Sequence, residues 1–170
     1  PALNSSESLH WMSDVTQVLY IEGVMRKRIT NKQIVDTLRE IALYLRAQNV
    51  AFKPQAYEGA AEGIAGLETE LSSLYTSCGE KCIDDVPGVG ESIAEKIEEL
   101  LVTSKLAYYE QLKKKFPFDM LGLSNIQEVG PKTAMKLYKT LQIKTVRDLE
   151  RAGVAHKIEN VPGMGHKNEQ

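Results

Sequence analysis

A chain of 170 residues, 42% hydrophobic and 26% charged, is long enough for one good-sized core or two small ones and is neither disordered nor membranous in composition. No apolar run approaches the roughly 20 residues of a membrane span and no signal-peptide pattern opens the chain, so the expected location is the cytoplasm. A net charge of -2 supplies no general basic surface, and any phosphate-binding role must rest on local features.

Strand signals are scarce and 3.6-residue periodicity recurs, which predicts an all-α helical bundle. Residues 1–28 carry a ragged stripe of Leu9, Met12, Val15 and Leu19 that Ser5 or Ser6 would cap. In "TNKQIVDTLREIALYLRAQ", Ile34, Leu38, Ile41 and Leu45 share one stripe, Val35 and Ala42 lie beside it, and Thr30 or Asn31 can cap it. "PQAYEGAAEGIAGLE" sets Pro54 in a first turn, and its small residues let a neighbouring element come close. "LETELSSLYTSC" spaces Leu67, Leu71 and Leu74 helically until Gly79 ends the pattern. "GEKCIDD" reads as a short helix leading into a turn at "VPGVG", and residues 91–103 as the helix leading out. "KLAYYEQLKKKF" stops at Pro117, and residues 131–141 and the Thr145-capped "TVRDLERA" complete the series. A soft boundary near 101–105 divides the chain into an extension (1–29), a helical domain (30–104) and a smaller helical unit (105–170). Cys78 and Cys82 are too few for a structural zinc site; a disulfide between them is geometrically allowed, yet cytosolic thiols are reduced by default.

The turn at "VPGVGESIAEKI" (86–97) returns as "IQEVGPKTAMKL" (126–137) and again as "VPGMG" (161–165). Glycine in such a turn permits positive φ and close backbone approach. The first N–H groups of the outgoing helix have no intrahelical partner and lie at its positive end, which binds phosphate without needing lysine or arginine. A single Pro-Gly turn is an ordinary helix connection. Three copies, each preceded by an apolar residue and two followed by an amphipathic helix, point to a repeated binding device.

The pattern apolar-x-Gly-apolar-Gly-x3-Ala resembles the helix-hairpin-helix motif of non-sequence-specific DNA-binding proteins. "NKQIVDTLREIALYL", "AFKPQAYEGAAEGI", "VPGVGESIAEKIEELL", "GPKTAMKLYKTLQIKTVRDLE" and "ENVPGMGHK" follow in the order found in family X DNA polymerases, and bacterial and archaeal members look nearer than DNA polymerase beta. The resemblance covers residues 30–170. It implies a lyase-like amino-terminal domain that grips gapped or single-stranded DNA during repair, with a nucleoid-associated location in a bacterium or archaeon. Gly88, Val89 and Gly90 would contact one strand, Val129, Gly130 and Lys132 the other, and Gly163 and Gly165 belong to the third turn. Hairpins of this kind are similar to ones that hold Na+ or K+ through backbone carbonyls, here those of Asp84, Val86 and Val89, then Ser124, Ile126 and Val129.

Some members of the family are 5′-deoxyribose-phosphate lyases, and the position matching their Schiff-base lysine is Lys96. Two readings stay open for it: that nucleophile, or a solvated lysine paired with Glu99. Lys53 and Tyr57 match positions that contact the 5′ phosphate and orient the site. Where relatives carry cations, this chain has Glu58, Gly59, Asp84, Asp85 and Ser92, and the first glycine position of the second hairpin is Glu128. No Asp-x-Asp for two metal ions is present, so polymerisation would need a palm domain outside this sequence; a repair protein is the other implied partner. A third reading is a protein-interaction scaffold whose hairpins no longer grip DNA.

Overall fold

A computed structural model describes residues 28–164, and the fold over them is helical. The expected helix in residues 1–28 and the third-turn residue Gly165 lie outside the described residues. Helix α1 spans Asn31–Ala47, and Thr30 closes a capping box with Gln33: its hydroxyl accepts the Gln33 N–H at 3.2 Å while its own N–H donates to Gln33 Oε1 at 3.0 Å. Asn31, the other cap candidate, serves a different helix. Its Oδ1 accepts the Leu71 N–H at 2.8 Å and so caps α3, Leu71–Cys78. Between them runs α2, Lys53–Ala65, with Pro54 in its first turn. Helix α3 starts four residues later than Leu67, so of the expected leucine stripe only Leu71 is fully buried.

The short α4, Lys81–Asp84, leads into the first glycine turn, and α5, Glu91–Thr103, leads out with the bounds expected from sequence. Helix α6 is Ala107–Lys115, α7 is Met120–Ser124, α8 is Pro131–Leu141 and α9 is Val146–Val154, followed by a 3-10 turn at Ile158–Asn160. Sequence periodicity gave no sign of α7, which is too short for a stripe; its one local signal is Asp119, whose carboxylate accepts the Gly122 N–H at 2.8 Å. Cys78 and Cys82 are joined in a disulfide, against the expectation of free thiols. Gly79, at φ +66°, bends the chain between α3 and α4 and brings their Cα atoms to 5.8 Å.

Helix α1 is the shared wall. It packs on α2 along one side and on α6, α7 and α8 along the other, so one continuous core runs through both halves. Ile34, Leu38 and Ile41 are sealed against the first half, while Tyr44 stacks on Phe116 with centroids 5.2 Å apart. Phe116 meets Phe118 edge-on and Phe118 stacks on Tyr138 at 4.9 Å, carrying the aromatic contact to α8. Glu40 of α1 accepts hydrogen bonds from both Tyr44 and Tyr109, the latter on α6. Among the described residues no helix is long and apolar enough to cross a membrane.

Candidate nucleic-acid interface

The three turns are built by one bonding scheme. In the first, the Val86 N–H donates to Ile83 O at 3.1 Å and the Val89 N–H to Val86 O at 3.1 Å. In the second, Ile126 donates to Leu123 O at 3.2 Å and Val129 to Ile126 O at 3.0 Å; in the third, Val161 donates to Ile158 O and Met164 to Val161 O, both at 2.9 Å. Each turn has its one left-handed residue at the same place: Gly88 at φ +82°, Glu128 at +66° and Gly163 at +76°. Val86, Val129, Val161 and Met164 are buried and pin the turns to the core. The outgoing helices begin alike, with Gly90 and Gly130 as extended N-caps whose carbonyls accept from buried Ala94 and Ala134 at 2.9 Å. The repeat inferred from sequence is therefore a repeat of backbone geometry, even where Glu128 replaces glycine.

What each turn leaves free follows from that scheme. Val89 and Val129 spend their N–H groups inside the turn. The N–H groups of Gly88, Gly90, Glu91 and Ser92 have no acceptor among the described residues, nor do those of Gly130 and Lys132. Gly88 and Gly90 are exposed, and Cβ atoms built on Gly90 and Gly130 would meet nothing within 4 Å. Gly88 is different: its Cβ would lie 2.6 Å from Gly59 O, because the turn sits directly on α2. Gly63, one turn further along α2, would put a Cβ 1.9 Å from Pro87 O. The small residues of α2 thus form the seat of the first hairpin.

Charge is distributed unevenly between the hairpins. The first is bordered by Asp84, Asp85, Glu91 and Glu95, all exposed. The second opens into α8, which carries Lys132, Lys136 and Lys139. Lys136 reaches the third turn, its Nζ lying 3.3 Å from where a Gly163 Cβ would sit. A cleft of about 460 Å³ separates the start of α2 from the start of α8, lined by Arg46, Phe52, Pro54, Gly130 and Lys132 among others. Phe52 is 86% exposed at its lip, a feature sequence reasoning missed because an isolated aromatic in a loop carries no periodic signal. Glu58 does not face solvent alone: its carboxylate holds Arg46 at 2.6 Å, so one cleft cation is already paired.

Lys96 lies on α5, half-buried, and donates to the Ser92 carbonyl at 2.7 Å and hydroxyl at 3.0 Å. Its ammonium is 5.7 Å from the centroid of the Tyr108 ring. The expected Glu99 pair is not formed; Glu99 instead accepts the Ala107 N–H at 2.7 Å and caps α6. Tyr57 is buried, and burial, with a smaller contribution from Tyr108, pushes its phenol up to about 12. Lys53, four residues earlier, is exposed on the first turn of α2. Among the described residues no group of three or more His, Cys, Asp or Glu is placed to hold a metal ion.

Comparison with known proteins agrees with this geometry. Residues 29–106 match the family described as "Helix-hairpin-helix domain", and residues 120–170 match "SAM-like Helix-hairpin-helix tandem". The chain is 27% identical over 143 residues to the DNA polymerase/3'-5' exonuclease PolX of Bacillus subtilis, covering 82% of this chain and 24% of that protein. It is 28% identical over 108 residues to DNA polymerase lambda of Rattus norvegicus, covering 64% of this chain and 18% of that one. The chain thus spans about a quarter or less of the length of these relatives. Two helix-hairpin-helix matches in series thus lie in a chain that is similar over most of its length to two family X DNA polymerases.

Proposed function

We propose that this chain binds DNA without sequence specificity, by holding backbone phosphates on the N–H groups of its glycine turns. The observation that carries the reading is the common turn geometry with unsatisfied N–H groups at the start of α5 and α8. Gly88 and Gly90 take one strand and Gly130 and Lys132 the other, while Gly163 and Gly165 supply a third contact. Val89 and Val129 act by anchoring the turns. Residues 30–104 and 105–170 work as two grips on gapped or single-stranded DNA, and Lys53 takes a 5′ phosphate. Phe52, exposed beside Lys132 in the cleft, offers a stacking surface to an unpaired base. In this reading the chain is the amino-terminal region of a repair polymerase whose palm domain is its partner.

The hairpins also suit a monovalent cation. The carbonyls of Val86 and Ile126 each accept one turn hydrogen bond, which leaves a second lone pair, and those of Asp84, Val89, Ser124 and Val129 accept none from the backbone of the described residues. All are hard oxygen donors of the kind Na+ or K+ takes. A lyase role for Lys96 is the second reading, favoured by the missing Glu99 pair and the neighbouring Tyr108.

Fluorescence anisotropy with a labelled one-nucleotide-gapped duplex carrying a 5′ phosphate tests the first reading. Binding should weaken steeply with added salt; absence of binding at low salt would leave a scaffold instead. Borohydride trapping on the same duplex with an abasic 5′ end tests the second, with an adduct expected only while Lys96 is present.

A further inference from the structure

The incoming arm of the first hairpin is far from self-sufficient. Helix α4 has four residues, too few to pay for its own nucleation, and Ile83 is its one buried side chain. Where α4 meets α5, Glu80 faces Glu98: the Glu98 carboxylate, by charge and by hydrogen bond, pushes Glu80 above the usual carboxylate range, with burial and Asp84 adding to it. The Tyr75 hydroxyl of α3 donates to the same Glu98 carboxylate at 2.5 Å. No ion pair holds these carboxylates among the described residues, and they push α4 and α5 apart once both are ionised. The covalent restraint on α4 is the Cys78–Cys82 disulfide, which ties the last residue of α3 to the second residue of α4 across the Gly79 elbow. Cys78 is exposed and Cys82 half-buried, so the bond is open to a small thiol from the Cys78 side.

We propose that the Cys78–Cys82 disulfide is a redox latch on the first hairpin, tying α4 to α3 when oxidised and releasing the Val86–Gly90 turn when reduced. The reductant is an external dithiol. Its thiolate attacks Cys78 Sγ, the bond to Cys82 breaks and Cys82 leaves as a thiolate. The second thiol of the reductant then displaces Cys78 and closes the reductant's own disulfide. Two electrons and two protons pass to the cysteines, which end as thiols. The latch changes the shape of a turn; its effect on DNA rests on the function proposed above, and the two are separable by experiment.

Residue-resolved hydrogen exchange of the full chain, oxidised and after dithiothreitol with free thiols counted, tests the latch directly. The Val86 and Val89 amides should exchange about tenfold faster or more in the reduced form, the order expected from losing closure of a short loop. Val129 and Ala134, in the second hairpin, should keep their rates. Equal Val86 and Val89 rates in the two forms overturn the latch. Cys82→Ser should show the fast rate with or without reductant, and a rate that still responds to reductant overturns it as well; should that variant misfold, the wild-type comparison decides alone. Anisotropy on the gapped duplex in the same two forms should show weaker binding after reduction. Equal affinities overturn control of DNA binding, whereas no binding in either form overturns the DNA-binding reading and leaves the exchange rates to judge the latch.

Discussion

The first and second hairpins reach the same turn by opposite routes. The first has glycine where φ is positive and a seat of small residues on α2, yet it sits among Asp84, Asp85, Glu91 and Glu95. The second carries Glu128 in the left-handed position and opens into a lysine-bearing helix. Val129 in its turn, and Met120 and Leu123 of the α7 that leads into it, are all buried. Conformation and charge are therefore separable requirements. Packing can impose the turn without glycine, at a backbone cost of about 1–3 kcal/mol, and a turn with the favoured glycines need not have cations around it.

The largest effect should come from filling the seat of the first hairpin. Gly63→Ala sets a methyl 1.9 Å from Pro87 O, a backbone atom that cannot rotate away, and should cost about 3 kcal/mol or more in a thermal or urea unfolding series. Gly59→Ala, one turn earlier on α2, meets nothing within 4 Å and should be tolerated or slightly stabilising. Equal melting temperatures for the two variants would mean that the turn does not rest on α2. Gly88 shares this structural role, so its variants confound folding with binding.

Gly90 and Lys132 separate the two requirements. Gly90 is an extended N-cap with open space at its Cβ, so Gly90→Val should leave the fold intact and hinder close approach of a phosphate. A roughly tenfold loss of affinity for gapped DNA, about 1.4 kcal/mol, is expected at unchanged salt slope. Lys132→Ala should instead reduce the slope of log affinity against log salt by about 1. If Gly90→Val binds normally, phosphate is held by lysine alone and the first hairpin is a structural element. A smaller effect of opposite sign should follow from Glu128→Gly. It relieves the left-handed backbone and removes an exposed negative charge from a turn proposed to face DNA, and should raise stability by about 0.5–1 kcal/mol together with affinity.

Much of this architecture could be read from the amino acids. Helices α5 and α8 fall where turn glycines and apolar spacing place them, and the hairpin repeat survives the Glu128 departure because buried valines set its register. What sequence concealed is what depends on contact across the fold. Asn31 has the residue type of a cap for its own helix and instead caps α3, 40 residues on in sequence, a contact that only the fold creates. Lys96 looked like a partner for Glu99, but Glu99 is drawn to the free N–H groups of the next helix. The role of Gly63 was invisible for the same reason, since a glycine inside a helix announces no particular neighbour. Local pattern specified the elements; pairings between them needed coordinates.

The smallest expected effect concerns Tyr57, a buried phenol on α2, the helix that seats the first hairpin. No hydrogen bond holds its hydroxyl among the described side chains, so Tyr57→Phe at neutral pH should change stability by no more than about 0.5 kcal/mol. At high pH the difference should appear. Burial raises the phenol in the fold from 10.0 to about 12, while the unfolded chain keeps the ordinary value. Below pH 10 both states are neutral and the folded state keeps its full advantage. Between pH 10 and 12 the unfolded state gives up its proton first, and stability falls until the folded phenol ionises too. Tyr75, raised to about 12 by burial and then by its bond to Glu98, adds a loss of the same sign over the same window. Unfolding midpoints measured from pH 8 to pH 12 should therefore decline less steeply in Tyr57→Phe than in the wild type, with the Tyr75 share of the decline intact. Identical slopes would show that the surroundings of Tyr57 open to water before its phenol titrates, so that α2, the seat of the first hairpin, would be looser than its burial indicates.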